Sequence, residues 1–374
     1  MNRLILIGNG FDLAHGLKTS YSDFIKWYLT FSMENALERG YYTDKLIEVN
    51  SVWDFRTKMP FKSVKDMVHY FYDSGKLGYL IYWEGLDDVS PSVRYTNPYT
   101  THIKSAFLKK LLDTCANSRW VDIENEYYLS VKAILKTDIS TSDKEELLME
   151  LNNSFEFIIE LLEKYLSTMA VPRRIAQYRK IFESKILKED IVTSTLEEDI
   201  GPRNTMILNF NYTQTANQYL GRPPALANYS LNHIHGTIND IKNPLIFGFG
   251  DELDSDYAKI ELEKAKGYLT FFKSFWYFRT SNYHNLIRFI NADEYQVYIL
   301  GHSCGLSDRT LLNMIFESTN CKSIKIFYYK NTTGNNFKDI AEDISRHFTN
   351  KAEMRNKIVP LEKSEPMPQH KPYN

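Results

Sequence analysis

Arg3-Leu4-Ile5-Leu6-Ile7-Gly8-Asn9-Gly10-Phe11-Asp12-Leu13-Ala14-His15-Gly16 is the stretch whose reading decides the fold. Four consecutive apolar residues, Leu4 to Ile7, spell a short strand buried on both faces. They run straight into Gly8-Asn9-Gly10, where the chain must turn tightly and its backbone can approach a ligand closely. Asp12 is placed to cap a short helix that stops near Gly16. A buried strand, a glycine turn and a helix start together make a phosphate site, because free N–H groups and the helix dipole point at the turn. The usual dinucleotide spacing is broken, since Leu13 stands where the third glycine belongs. On spacing alone, a tight turn that merely packs a helix on a sheet is nearly as good a reading.

Working outward, the chain is long and apolar enough to bury a large core in two lobes, with 374 residues and 43% hydrophobic content. Its 22 Phe and 26 Tyr argue against extensive disorder. A net charge of −2 supplies no general attraction for nucleic acid or anionic lipid, so neither is an expected partner. Cys115, Cys304 and Cys321 are few, odd in number and far apart, with no C-x-x-C pair. Neither a disulfide framework nor a cysteine zinc site is indicated. The N-terminal apolar run is too short for a signal peptide, and nothing approaches the ~20 apolar residues of a membrane span. A cytoplasmic setting is expected.

Ser20-Tyr21-Ser22-Asp23 offers a capping box for a helix running toward Gly40, with Phe24, Ile25, Tyr28, Leu29, Met33, Ala36 and Leu37 as its buried stripe. Helices are predicted near Ser63 to Asp73, Ile103 to Cys115 and Asp122 to Leu135, with a loop over Asp87 to Pro98. The strongest helical pattern spans Ser142 to Met169, capped by Ser142 and Glu145. Its stripe runs through Leu147, Leu148, Leu151, Phe155, Ile158, Ile159, Leu162, Leu166 and Met169. That stripe would suit a homo-oligomer seam, but without an e/g charge code it reads as intramolecular packing. From position 205 short apolar runs alternate with helices. Strands are predicted at Thr205 to Phe210, Leu231 to His235, Pro244 to Gly248, Tyr295 to Leu300 and Ser323 to Tyr329. This alternation means an α/β fold with a mostly parallel sheet. Leu4 to Ile7 should join that sheet. The predicted organisation is an α/β domain from 1–16 and 201–350, a large helical insertion over 17–200, and a mobile tail at 351–374.

Three sites at strand ends carry the candidate chemistry, because open α/β sheets bind ligands there. Asn209 and Asn211 share one strand face, and buried Asn side chains need partners. His233 and His235 form an H-x-H pair, a common metal-ligand spacing whose ordinary alternative is a satisfied core histidine. Gly301-His302-Ser303 follows another apolar strand and makes a second ligand-binding turn, with Ser307 or Asp308 as helix caps. Asp122 and Glu124 read as negative charge in the first turn of a helix.

The run ILIGNGFDLAHGLKTSYSDFI, residues 5–25, resembles the N-terminal signature of the bacteriophage abortive-infection AbiH family, and Trp120-Val121-Asp122-Ile123-Glu124 resembles a second motif of that family. The glycine turn also resembles, more distantly, the opening of sirtuin-like NAD-binding domains, with Gly16, Asp23 and Phe24 in comparable order. In those domains a T-x-N-x-D motif, a histidine before a glycine and a G-x-S loop follow. Here Asn211 matches the asparagine, Thr213 replaces the aspartate, His235-Gly236 matches the histidine pair, and Gly301 and Ser303 match the loop. The structural zinc cysteines of true deacylases have no counterpart.

These resemblances imply a phage-defence enzyme with a Rossmann-like, sirtuin-like sheet that hydrolyses NAD to nicotinamide and ADP-ribose. Asn211 and His235 are then catalytic, the first orienting ribose or water and the second acting as base. Gly8, Asn9, Gly10, Phe11, Asp12, Asn209, Gly301 and Ser303 would contact NAD, which serves as substrate with no metal required. A phage-derived trigger or partner protein is expected, with the insertion controlling the resting state. Two rivals stand beside this reading. One is a metal-dependent hydrolase using His233 and His235 with Asp251 or Asp308, and the other a non-catalytic nucleotide sensor.

Overall fold

The structure is a computed structural model and describes residues 1–51, 61–81, 99–118, 121–193, 196–220 and 228–370. Among the described residues the strands are β1 (Asn2–Ile7), β2 (Tyr41–Thr43), β3 (Ile47–Ser51), β4 (Tyr99–Ile103), β5 (Thr205–Asn209), β6 (Tyr229–His233), β7 (Tyr295–Leu300) and β8 (Cys321–Phe327). The chain divides into two compact units. One comprises Met1–Thr19, Leu166–Ala258 and Phe271–Asn374, and the other Ser20–Tyr165 with Lys259–Thr270.

The first unit is built on a five-stranded, wholly parallel sheet in the order β6-β5-β1-β7-β8. All six residues of β1 are buried, as a central strand covered on both faces requires. Its alternation divides the core. Leu4 and Leu6 pack with Val297, Ile299, Leu312 and Phe316 on one face, while Ile5 and Ile7 join Phe11, Tyr178 and Phe182 on the other. Counted within the unit, the strand order is 3-2-1-4-5, the Rossmann-like order. That order is shared by Rossmann-like domains in general and does not single out the sirtuin-like branch. It places a topological switch point between β1 and β7, where the chain leaves neighbouring strands toward opposite edges of the sheet.

Several expectations shift in this unit. Residues 166–200 belong to the sheet unit, because Ile175, Tyr178 and Phe182 supply part of the core on the Ile5 face. The stretch Pro244 to Gly248 is not a strand. It runs irregularly past the Gly236 turn, with the Ile246 N–H donating to the His235 carbonyl at 2.8 Å. The tail read as mobile is docked from its start through residue 370. Lys351–Lys357 is a helix, Ile358 bridges Ile324, and Pro366 bridges Tyr328. Val359 and Met367 are buried there. Charges and prolines in the tail masked these anchors, and β8, an edge strand, offers the free backbone groups that receive them.

The second unit begins as read. Ser20 accepts from the Asp23 N–H at 3.1 Å and its hydroxyl donates to the Asp23 carboxylate at 2.6 Å, capping the helix Tyr21–Arg39. Gly40, at φ +88°, ends it. The unit is not purely helical, because β2, β3 and β4 form an antiparallel sheet. An Asp44 turn, in which Oδ1 accepts from the N–H groups of Leu46 and Ile47, folds β2 back on β3. The long helix is Thr141–Ser167, and its cap is Ser140, whose hydroxyl accepts from the Asp143 N–H at 3.2 Å. Its Leu148, Phe155, Ile158 and Leu162 are buried, whereas Leu147 is 40% exposed. Lys259–Thr270 belongs with this helix, since Asn152 Nδ2 donates to the Gly267 carbonyl at 2.9 Å. The loop predicted over Asp87 to Pro98 lies outside the described residues. No helix among the described residues is long and apolar enough to cross a membrane.

Candidate functional site

The candidate site lies at the carboxyl edge of the parallel sheet, where the turns after β1, β5, β6 and β7 come together. Two of them are locked backbone to backbone. The Gly8 N–H donates to the Leu300 carbonyl at 3.3 Å and the Gly10 N–H to the Gly301 carbonyl at 2.8 Å. A Cβ on Gly8 would lie 2.5 Å from His302 Cα, and one on Gly301, at φ +74°, would lie 2.2 Å from the Phe11 nitrogen. The close approach of the two turns thus explains these glycines before any ligand is considered.

Asp12 is not a cap. The short helix covers Asn9–Ala14, its cap position is Gly8, and Asp12 sits inside it with its carboxylate buried. Thr213 donates its hydroxyl to Asp12 Oδ2 at 2.6 Å, and Asp12 Oδ1 makes no direct hydrogen bond. Burial raises the Asp12 pKa to about 6, while Thr213, and more weakly Thr215 and Asn211, restrain the rise. An acid that titrates near neutrality, held from one oxygen only, is suited to proton transfer.

Asn211 and Asn209 stitch the turn after β5. Asn211 Nδ2 donates to the Gly8 carbonyl at 2.9 Å, fixing that turn against the glycine turn, and its N–H donates to Asn209 Oδ1 at 3.1 Å. Asn209 Nδ2 donates to the Asn211 carbonyl at 3.2 Å and approaches His233 Nδ1 at 3.0 Å. His233 Nε2 in turn meets Asn217 Oδ1 at 2.9 Å, so both ring nitrogens have polar partners, an arrangement that suits the neutral imidazole. Burial lowers its pKa, consistent with that state.

His235 is held elsewhere. Its Nε2 lies 3.1 Å from Asp308 Oδ1 and 3.2 Å from the Tyr277 hydroxyl, and its hydrogen-bond partners do not overlap with those of Asn211. Lys273 Nζ donates to Asp308 Oδ1 at 2.8 Å, and His302 Nε2 faces Asp308 Oδ2 at 3.7 Å. Burial alone would raise the Asp308 carboxyl, but Lys273 and the two histidines hold it far below the usual range. Burial, with Lys273 nearby, lowers the His235 pKa despite Asp308, and burial brings His302 down to about 4. This is a sealed polar cluster under the Phe210 turn, since Phe210 packs edge-on against both His235 and His302. Sequence reading missed Lys273. Its signal was a lysine set among aromatics in Phe271-Phe272-Lys273-Ser274-Phe275-Trp276.

The remaining candidates fall as follows. Phe11 is fully buried, packed at tilted and edge-on angles among His15, Tyr178 and Tyr219, and supports the turn from within. Asn9 and Ser303 are the exposed members of the two turns, and Asn9 Oδ1 accepts from the Thr19 hydroxyl. Asp251 pairs with Arg309 at 3.2 Å, not with either histidine. Asp122 caps the helix Ile123–Leu135 by accepting from the Asn125 N–H, and Glu124 is buried in its first turn. Trp120 lies outside the described residues. Among the described residues no group of three or more His, Cys, Asp or Glu side chains is arranged to hold a metal ion.

Residues 4–330 of the chain match the family model described as bacteriophage abortive infection AbiH. The chain belongs to the AbiH family. The match begins at the first residue of the apolar run in β1 and takes in both units, so the Rossmann-like sheet and the insertion are both part of what defines this AbiH protein. Its function class is abortive infection directed at bacteriophage. No curated protein and no solved structure matches it.

Proposed function

We propose that this AbiH-family protein acts in phage defence by binding NAD at the carboxyl edge of its parallel sheet and hydrolysing it to nicotinamide and ADP-ribose. One observation carries the reading. A buried carboxylate, Asp12, stands between the turns after β1 and β5 at the carboxyl edge of a Rossmann-like sheet, with a pKa raised to about 6 and one oxygen without a direct hydrogen bond. Cleavage of the nicotinamide–ribose bond passes through an oxocarbenium-like cation, as glycosidic cleavage does. A preorganised carboxylate stabilises that charge and accepts the proton of the attacking water. Asn211, anchored by its amide nitrogen to Gly8, leaves Oδ1 to orient a ribose hydroxyl or the water. The exposed Asn9 and Ser303 face the solvent side of the same two turns, where diphosphate and ribose are to be held.

Asp12 therefore takes the base role that the sequence reading gave to His235. The His235 imidazole is buried against Asp308 and Tyr277 and serves to support the Phe210 turn. The test is chromatographic analysis of NAD, nicotinamide and ADP-ribose over purified protein, with and without phage components. Wild type should consume NAD and Asp12→Asn should not, with circular dichroism unchanged. Full turnover by folded Asp12→Asn would overturn the assignment. NAD binding without turnover by wild type in both conditions would instead make the unit a nucleotide sensor.

A further inference from the structure

The second unit holds a cavity of about 560 Å³ that is independent of the sheet edge. The helix Tyr21–Arg39 sends Phe31, Asn35 and Arg39 into it, spaced four apart along one face. The helix Thr141–Ser167 sends Phe157, Glu160, Leu161 and Lys164, again one stripe, and β2 adds Tyr42. Aromatic rings make its body. Phe31 lies edge-on to Tyr42 at 5.7 Å and is backed by Trp27 at 5.4 Å.

Its rim is cationic. Lys164 Nζ stands 4.1 Å from the Phe31 ring centre and, beside the cavity, Lys45 Nζ 5.1 Å from that of Phe157. Arg39, Lys45 and Lys164 are exposed, and among the described residues none of them is paired with a carboxylate. Asp44, which precedes Lys45 in the chain, is already engaged by Tyr28, Tyr42 and two backbone N–H groups. Asn35 spends one amide hydrogen on the Phe31 carbonyl, which leaves its Oδ1 and second hydrogen for a ligand edge.

We propose that this cavity binds a nucleoside monophosphate or polyphosphate. The aromatic and apolar lining takes a planar base, the Asn35 amide reads its edge, and Arg39 and Lys164 hold the phosphate. Glu160, also without a cation among the described residues, suits a ribose hydroxyl. The cavity volume falls within the range of small-molecule sites, roughly 300–1,000 Å³.

The test is calorimetric titration of the full-length protein with AMP and ATP, with adenosine, inorganic phosphate and a short polyglutamate peptide as controls. Hydrogen exchange locates the bound nucleotide. AMP or ATP should protect the backbone around residues 31–43 and 157–164. Arg39→Ala/Lys164→Ala should weaken binding about tenfold or more while the fold is retained, because each phosphate contact is charge-assisted. Asp12→Asn should leave that protection in place, which separates this site from the proposed NAD site. Protection confined to the sheet unit, unchanged affinity in the double variant, or equal binding of phosphate or polyglutamate would overturn the proposal.

Discussion

Asp12 and Thr213 lie 201 residues apart in the chain, yet the Thr213 hydroxyl donates to the Asp12 carboxylate at 2.6 Å. The contact exists because β1 and β5 are parallel neighbours, with Ile7 in register with Asn209, so the turns that follow them lie side by side. It also defines the electrostatics of the site. Burial keeps the proton on the carboxyl to higher pH, and the neutral hydroxyl, which brings no opposite charge, restrains that rise only in part.

That shift makes a stability prediction. Folding raises the Asp12 pKa from 3.8 to about 6, so the folded state binds this proton more tightly than the unfolded one. The associated stability is present below pH ~3.8 and is lost as pH rises through ~6. Asp12→Asn should therefore stabilise the protein by about 3 kcal/mol at pH 8 relative to wild type, with the gain disappearing near pH 4. Urea denaturation of both proteins at the two pH values checks this. NAD consumption by wild type should rise through the same region, as the base ionises.

Gly301→Ala should be severely destabilising, by about 3 kcal/mol or more, because its Cβ would lie 2.2 Å from the Phe11 nitrogen at φ +74°. Gly16→Ala is the control. Its φ is +84° but nothing lies within 4 Å, so backbone strain alone, about 1 kcal/mol, is expected. Denaturation midpoints of the two variants should differ accordingly.

Lys273→Met should cost about 3–5 kcal/mol at neutral pH, because it leaves Asp308 buried without its cation. Adding Asp308→Asn should recover part of the loss. In the single variant the His235 pKa should rise, since the buried cation that disfavours its protonation is gone. Histidine NMR titration and a double-mutant cycle measure the two effects.

Deleting residues 358–374 should expose the β8 edge. The deletion removes the bridges at Ile324 and Tyr328 and the buried Val359 and Met367 side chains, each worth about 1.5–3 kcal/mol. A lower melting temperature with increased light scattering is expected, because an unpaired strand edge recruits other chains. An unchanged melt would mean that the docked tail contributes nothing to the sheet.

What the sequence determined by itself is what short-range periodicity encodes. Leu4 to Ile7 could only be a doubly buried strand, the Ser20 box started a helix, and alternating apolar runs after position 205 meant a parallel α/β sheet. Those signals are local, so they survive without knowledge of what packs where. The antiparallel sheet in the insertion was harder to see, because its strands have only three to five residues each. The anchors of the tail were hidden for a related reason, being single apolar residues among charges.

The candidate site was legible as a set of strand ends and not as a set of partners. Periodicity placed Asn209, Asn211, His233, His235 and Gly301 at turns, but side-chain direction beyond a strand end depends on the loop it enters. Only the tertiary structure turned His235 toward Asp308 and Lys273, tied Asn211 to Gly8, and buried Asp12 beside Thr213. Burial and long-range pairing set the charge state of each group, and both are properties of residues brought together across hundreds of positions.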